Sequence, residues 1–242
     1  TAASTIDANL WRLYKKENKE FSEIGRVLSR ITFTTDKTKL AGLDIVIEAI
    51  LENRDIKKRV FAELDAICDP KTILASNTSG LSITEIGSAT GRPDRVIGMH
   101  FFNPVPVMKL VEIIKGSETS DETYDTVKKL VEDSGKESIT ILDAPLFVVN
   151  RILVPMINEA IFVLGEGIAS AEDIDKGMVL GTNQPIGPLA LADLIGLDTL
   201  LSVAETLFEE TGDTKYRVPP LLRKYVRAGK LGRKTGRGFY TY

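Results

Sequence analysis

The chain has one histidine and one cysteine among its 242 residues, and these two shortages exclude several kinds of site. Cys68 has no partner for an internal disulfide, which is typical of a protein from a reducing compartment. One histidine and one cysteine do not supply the ligands of an ordinary zinc site. A Ser-His-Asp triad would have to use His100, and the nucleophile motif GxSxG is absent.

Long apolar runs and long basic runs are also missing. The longest apolar stretch, LFVVNRILVPMI, is interrupted by Asn150 and Arg151, and it is shorter than the roughly 18 residues that a membrane span needs. The formal net charge is −3, without a basic cluster. The composition therefore predicts no membrane span and no nucleic-acid partner.

A glycine-rich phosphate loop is not found either. The nearest string, GEGIAS at 165–170, follows a helical pattern rather than a strand and lacks the third glycine, so it indicates a helix end. The chain starts TAASTIDANLW, without Met and without a targeting pattern. This start suggests that a preceding segment was removed or left out.

What the first part of the chain does contain is an alternation of two periodicities. Helical patterns occupy 4–30, 53–68, 83–89 and 120–135, and strand patterns occupy 31–35, 43–50, 72–77, 95–102, 108–114 and 137–142. Strands that alternate with helices predict a parallel sheet covered on both faces. The run LDIVIEAI at 43–50 is almost entirely apolar, so we expect it to be buried on both sides.

Strand patterns stop after residue 143, and four or more helices follow. We therefore divide the chain into an α/β domain, 1–143, and an all-helical domain, 144–242. Ser170 is a candidate N-cap, with acidic residues in the turn that follows it. The helix 146–164 is apolar on most of its circumference and must be buried. Because a domain of about 100 residues has limited means to bury it alone, we expect a homodimer through 144–242.

The single histidine, His100, lies where an apolar strand ends. Ligands bind at the carboxyl ends of strands in open α/β sheets, and an imidazole can exchange a proton at neutral pH. Glu112 could orient that imidazole if the strands at 95–102 and 108–114 are neighbours. The alternative is a merely hydrogen-bonded histidine and a solvated glutamate, and the pattern alone leaves both readings open.

Four more polar residues have a functional and a structural interpretation. Ser79, in SNTSG, follows a strand and could bind a ligand oxygen, or it could belong to an ordinary turn. Asn150 lies inside an apolar helix and needs a partner, either backbone or ligand. Glu52 and Lys57 could reach a ribose or a phosphate, or they could form a solvated helix face.

Several strings resemble the 3-hydroxyacyl-CoA dehydrogenases over essentially the whole chain. They are VIEAILENRDIKK, ILASNTSGLSITEI, GMHFFNPVPVMKLVEII, FVVNRILVPMINEA, EDIDKGMVLGTNQPIGPLALADLIGLD and GRKTGRGFY. The resemblance implies a truncated Rossmann-like doubly wound sheet followed by an all-helical domain. It implies a catalytic set of His100, Glu112, Ser79 and Asn150, the last two binding substrate. It also implies cofactor contacts by Glu52, Lys57 and Asn103.

The activity implied by the resemblance is hydride transfer between NAD or NADP and an acyl-CoA substrate. It interconverts 3-hydroxyacyl-CoA and 3-oxoacyl-CoA, with His100 as acid/base. The resemblance favours the cytoplasm of a bacterium, with the mitochondrial matrix as the alternative. A different class of function, a non-catalytic protein or inactive fragment that keeps the fold, remains open.

Three departures from the family pattern carry expectations. The first βαβ unit, about 40 residues judged by the length of such units, is not found before the pattern begins. We therefore expect the pyrophosphate-binding segment to be absent from this chain and NAD to bind weakly. Leu146 stands where the family has glycine, and Gly80 stands where it often has serine.

Overall fold

A computed structural model describes residues 2–242, which form two compact units that divide between Gly42 and Leu43. The first unit contains helices α1 (Ala2–Glu17) and α2 (Ser22–Leu28). The sequence predicted one helix over 4–30, and this is corrected: Asn18 takes a left-handed φ of 55°, which ends α1.

The strand expected at 31–35 is wrong. This segment has no regular structure, and its residues 32–35 are exposed. β-branched residues favour a pleated, half-buried surface, but a strand also needs a neighbour that accepts and donates backbone hydrogen bonds. The segment makes no such ladder among the described residues.

The second unit begins with a five-stranded sheet in the order β1-β2-β3-β4-β5. Its strands are β1 (Ile45–Glu48), β2 (Ile73–Ser76), β3 (Val96–Phe101), β4 (Leu110–Lys115) and β5 (Glu137–Leu142). Helices α3 (Arg54–Ile67), α4 (Ile83–Gly87) and α5 (Asp121–Asp133) lie between them in sequence. Val127 of α5 packs in a cluster with Ile97 of β3, whereas Ile83 of α4 approaches the other face at Gly98. Helices thus cover both faces, which confirms the predicted α/β class.

The sheet is not wholly parallel, which corrects the sequence-based expectation. β3 and β4 are antiparallel, while the other neighbouring pairs are parallel. Only residues 102–109 connect β3 to β4, and a parallel crossover needs a dozen residues or more. The antiparallel register places His100 directly opposite Glu112.

Strand β1 is at one end of the sheet order, so the expectation that 43–50 is buried on both faces is wrong. Ile47 is 41% exposed and Leu51 is 73% exposed. A strand at the edge of a sheet has a neighbouring strand along one edge only, so fewer side chains are available to cover its own.

Helices make up the rest of the second unit, as the sequence predicted. They are α6 (Val149–Gly165), α7 (Ala171–Thr182), α8 (Pro188–Ile195), α9 (Leu197–Thr211) and α10 (Pro220–Arg227). Their core includes Ile157, Leu189, Leu200 and Leu222, each at most 1% exposed. Ser170 caps α7 by accepting a hydrogen bond from the backbone N–H of Asp173, as expected. No helix within residues 2–242 has the length and apolar character needed to cross a membrane.

Candidate active site

The centre of the site is a buried pair formed by His100 and Glu112. The Nδ1 atom of His100 lies 2.7 Å from Oε2 of Glu112, and the residues are 5% and 0% exposed. The two residues face each other across β3 and β4, so the sheet itself fixes their separation. A carboxylate accepts hydrogen bonds only, so an ionised Glu112 makes Nδ1 the protonated nitrogen and leaves Nε2 as the proton acceptor.

The second oxygen of Glu112 is bound by the start of helix α6. Its Oε1 accepts hydrogen bonds from the backbone N–H groups of Val148 at 3.2 Å and Val149 at 2.9 Å. Val148 is the N-cap of α6 and supplies no side-chain cap, so Glu112 satisfies these donors instead. The N–H groups at a helix N-terminus carry partial positive charge, which attracts a carboxylate. This arrangement keeps Glu112 as an acceptor for His100.

Aromatic rings surround the imidazole. The ring centroids of Phe102 and Phe147 lie 4.6 Å and 5.8 Å from that of His100. Phe147 is 2% exposed and has a left-handed φ of 60°. These rings limit the access of water, which strengthens polar interactions between the buried groups.

Ser79 and Asn150 are in contact. The side-chain Nδ2 of Asn150 donates to the backbone carbonyl of Ser79 at 3.2 Å. Asn150 follows Val149, whose N–H binds Glu112, so Asn150 lies next to the buried pair in the first turn of α6 and connects it to Ser79. The amide nitrogen of Asn150 therefore has a backbone partner, which is one of the two roles that the sequence left open.

A cavity of about 510 Å³ opens beside Ser79, at the carboxyl ends of β1 and β2. Ligands bind at this edge in open α/β sheets. The wall next to the sheet is formed by Ala49, Ile50, Glu52, Asn77 and Ser79, and the opposite wall by Asp198, Thr199, Ser202 and Val203 of α9. The cavity thus lies between the sheet and the helices.

Glu52 lines this cavity, whereas Lys57 lies behind the wall. Oε1 of Glu52 accepts hydrogen bonds from the hydroxyl of Thr78 and from the backbone N–H of Ser79. Lys57 is 1% exposed, which excludes the solvated helix face that the sequence left open. Its Nζ lies 2.7 Å from Oε1 of Glu48 and 3.4 Å from Oε2 of Glu52.

The remaining predicted residue, Asn103, lies in the exposed loop after β3, in front of a cis peptide bond to Pro104. It does not line the cavity as the described residues form it. Sequence reasoning missed Asn77, although it belongs to the motif that contains Ser79. Its Oδ1 accepts a hydrogen bond from the backbone N–H of Phe101 at 2.9 Å, which ties the cavity wall to the residue after His100.

Two more carboxylates at or near the cavity were missed, although each lies in a string that carries the family resemblance. Asp198 lines the cavity from α9 and pairs with Lys234, whose Nζ lies 2.6 Å from Oδ2. The hydrogen bond from Lys234 lowers the pKa of Asp198 below its usual range. Glu48, in VIEAILENRDIKK, was missed because it ends an apolar strand pattern, and the sequence does not show that its carboxylate is buried.

The chain is similar to known proteins over nearly all of its length. Residues 1–144 match the model of the 3-hydroxyacyl-CoA dehydrogenase NAD-binding domain, and residues 147–242 match that of the C-terminal domain. The chain is 54% identical to the 3-hydroxybutyryl-CoA dehydrogenase of Clostridioides difficile over 98% of this chain and 84% of that protein. It is 55% identical to a probable 3-hydroxybutyryl-CoA dehydrogenase of Bacillus subtilis over 98% of this chain and 83% of that protein.

A solved structure is also similar throughout. The (S)-3-hydroxybutyryl-CoA dehydrogenase of Ralstonia eutropha superposes with a TM-score of 0.95 at 55% identity, covering 99% of this chain and 84% of that one. The match to the NAD-binding domain starts at residue 1, so it does not support the expectation that the pyrophosphate-binding segment is absent. Two family models together match nearly all of the residues, and the chain belongs to the 3-hydroxyacyl-CoA dehydrogenase family.

Proposed function

We propose that the protein is an oxidoreductase that interconverts 3-hydroxyacyl-CoA and 3-oxoacyl-CoA with NAD or NADP. The names of its relatives support the pair 3-hydroxybutyryl-CoA and acetoacetyl-CoA as substrates. The observation that carries the proposal is the buried His100–Glu112 pair, separated by 2.7 Å and held next to Ser79 and Asn150.

The acid/base step belongs to His100. In the oxidation direction, Nε2 takes the proton of the substrate 3-hydroxyl, and Glu112 stabilises the imidazolium that forms at Nδ1. Because Glu112 is held by two backbone N–H groups of α6, it keeps its position as the charge on the ring changes. In the reduction direction, the same imidazolium returns the proton to the oxygen.

Ser79 and Asn150 are proposed to bind the reacting oxygen of the substrate. Both are half-buried, and they are joined by the hydrogen bond between the Asn150 amide and the Ser79 carbonyl. A hydroxyl and an amide that are fixed in advance stabilise a developing alkoxide without reorganisation.

The cofactor is proposed to lie in the cavity beside Ser79. When bound, the nicotinamide accepts or supplies the hydride. The cavity, about 510 Å³ and lined by a carboxylate, an amide and hydroxyls, fits the polar ribose and carboxamide groups of that half of a dinucleotide. We propose that Glu52 contacts the cofactor directly and that Asn103 reaches it from the loop after β3, outside the cavity lining. Lys57 contributes through its contact with Glu52.

The test is acetoacetyl-CoA reduction by the whole chain, followed through the absorbance of NADH and, in parallel, of NADPH. The variant His100→Ala should lower turnover by about 10²–10⁴-fold, the usual contribution of a positioned acid/base. The matched control is Thr126→Ala, on the exposed side of α5, which should keep wild-type turnover. A His100→Ala variant that keeps most of its activity would remove His100 from the mechanism.

The same assay separates the enzyme from a non-catalytic relative. Binding of acetoacetyl-CoA without turnover with either cofactor would favour the non-catalytic alternative. The hydrogen bond between His100 and Glu112 favours the enzyme, because a positioned imidazole with a carboxylate partner is suited to general acid/base catalysis.

We also propose a homodimer formed through the helical part of the chain. Val148 and Ile152, on one side of α6, are 41% and 68% exposed, although both are large apolar residues. They border a cavity of about 430 Å³ whose other walls include Met156, Pro185 and Ile186. Exposed apolar patches of this kind mark protein interfaces.

Light scattering tests the dimer. The expected mass is twice that of the 26.6 kDa chain, and Ile152→Glu should reduce it to a single chain. Val107→Glu is the control, since Val107 is 67% exposed but lies in the loop after β3. A wild-type mass of one chain at micromolar concentration would contradict the dimer.

Free Cys68 and the bacterial relatives support a bacterial cytoplasm as the compartment.

A further inference from the structure

Glu48, at the end of β1, is a buried carboxylate with several donors around it. It is 4% exposed. Its Oε1 accepts hydrogen bonds from Nζ of Lys57 at 2.7 Å and from the backbone N–H of Ile50 at 2.6 Å. Its Oε2 accepts the hydroxyl hydrogen bond of Ser76, its partner in β2, at 2.7 Å. The proposed mechanism uses neither Glu48 nor Ser76.

Lys57 connects this carboxylate to the cavity. Its ammonium group is shared between Glu48 at 2.7 Å and Glu52 at 3.4 Å, and the shorter contact is the more buried one. The side chain of Glu48 is 2% exposed, whereas that of Glu52 is 46% exposed. Ionic contacts in a low-dielectric interior are stronger than contacts to a solvated group. The position of Lys57 is therefore set by Glu48.

The position of Glu52 is set in turn by Lys57 and by the loop after β2. One oxygen of Glu52 faces Lys57, and the other accepts hydrogen bonds from Thr78 and Ser79. If Glu48 lost its charge, the ammonium group of Lys57 would be left with Glu52 as its one carboxylate partner. The attraction would draw the Glu52 carboxylate away from Ser79 and toward the wall.

We propose that Glu48 is a positioning residue for cofactor binding: it anchors Lys57, and Lys57 holds the carboxylate of Glu52 in place against Ser79 in the cavity. The inference rests on the proposed function for its consequence in cofactor binding. Ser76 supports the arrangement from the neighbouring strand, because it binds the oxygen of Glu48 that Lys57 leaves free.

The test is calorimetric titration of the whole chain with NADH, using Glu48→Gln, Glu52→Gln and the double variant. Glu48→Gln should weaken NADH binding about tenfold, the value of one hydrogen bond to a charged group. Because Glu48 acts through Glu52, the double variant should bind no more weakly than Glu52→Gln alone. The Michaelis constant for acetoacetyl-CoA should stay within twofold of wild type.

A matched control is Asp65→Asn, which neutralises another ion-paired carboxylate of α3, bound to Arg92. It should bind NADH as the wild type does. Wild-type NADH affinity in Glu48→Gln would overturn the proposal. So would additive losses in the double variant, because they would mean that Glu48 acts independently of Glu52.

A structural measurement separates this inference from the proposed function. A crystal structure of Glu48→Gln should show the Glu52 carboxylate displaced from the Ser79 N–H, whether or not NADH binds to the wild type. An unmoved Glu52 would overturn the inference, whereas a displaced Glu52 in a chain without NADH affinity would overturn the proposed cofactor site alone. If Glu48→Gln does not fold, the neutral pair Glu48→Gln/Lys57→Met removes the uncompensated buried charge. That pair should weaken NADH binding to the same extent, and wild-type affinity in it would again refute the proposal.

Discussion

A methyl group added at Gly80 provides a quantitative test of how the sheet joins helix α6. An ideal Cβ at Gly80 would lie 2.1 Å from Cδ2 of Leu146, 3.2 Å from its Cγ and 3.3 Å from its Cα. Leu146 is 2% exposed and packs with Leu207 and Tyr216, so its side chain has little room to withdraw. Its left-handed φ of 59° also restricts the backbone. Leu146 thus fills the space that a side chain at position 80 would need.

The expected effect follows from this overlap. Overpacking a filled core costs about 1–3 kcal/mol, and replacing glycine by alanine recovers about 0.4–1 kcal/mol through the unfolded chain. Gly80→Ala should therefore lower the free energy of unfolding by about 1–2 kcal/mol. Leu146→Gly should cost about 2–5 kcal/mol for the lost buried side chain, less about 1–2 kcal/mol of relieved backbone strain. In the Leu146→Gly background the overlap is removed, so Gly80→Ala should be neutral or stabilising by up to about 1 kcal/mol, which is a coupling of about 1–3 kcal/mol.

Urea unfolding followed by circular dichroism measures all four proteins of this cycle. Gly177→Ala is the control, because an added Cβ there meets no atom within 4 Å in helix α7. It should be neutral or stabilising by up to about 1 kcal/mol. The reasoning fails if Gly80→Ala lowers stability equally with and without Leu146, since the loss would then come from somewhere other than this contact.

Three further outcomes are expected. Burial and, to a lesser extent, the hydrogen bond to Asp175 raise the pKa of Tyr240 above its ordinary 10.0. The stability that the phenol contributes is therefore complete below pH 10 and is lost as the pH rises toward the raised pKa. Tyr240→Phe should lower stability by about 1 kcal/mol at neutral pH and remove that alkaline loss, as chemical unfolding at several pH values would report. Asp143→Ala removes the acceptor for Ser82 and for two backbone N–H groups at the start of α4, and thermal unfolding should show a loss of about 1–3 kcal/mol that Asp143→Asn partly restores. Ser170→Ala removes the N-cap of α7 and should cost about 1 kcal/mol in the same assay.

The elements that the sequence predicted correctly are those whose signals are local. The cap of α7 at Ser170 depends on one hydroxyl and the N–H three residues later, so it can be found in the sequence alone. The strand at 137–142 and the helix at 53–68 are present within a residue or two, because their periodicity lies within a single window. The motif around His100 also had one plausible chemical use, proton transfer, before any contact was known.

Other features had local signals that misled. The segment 31–35 is rich in β-branched residues, but it forms no strand. The segment 43–50 is as apolar as a central strand, but it lies at the end of the sheet order. The composition of a segment shows whether it could be buried, but the neighbouring segments of the fold decide whether it is buried.

The sequence by itself determined the α/β class, the helical second half, the family and the residues that can carry a proton transfer. Only the tertiary structure decided how those residues meet. The antiparallel pairing of β3 with β4 sets His100 against Glu112, and the start of α6 holds the free oxygen of that glutamate. The fold also places Lys57, which the sequence left open as a surface residue, in a buried ion pair with Glu48. These contacts join segments 9 to 37 residues apart, and their strength depends on burial, which a linear pattern does not specify.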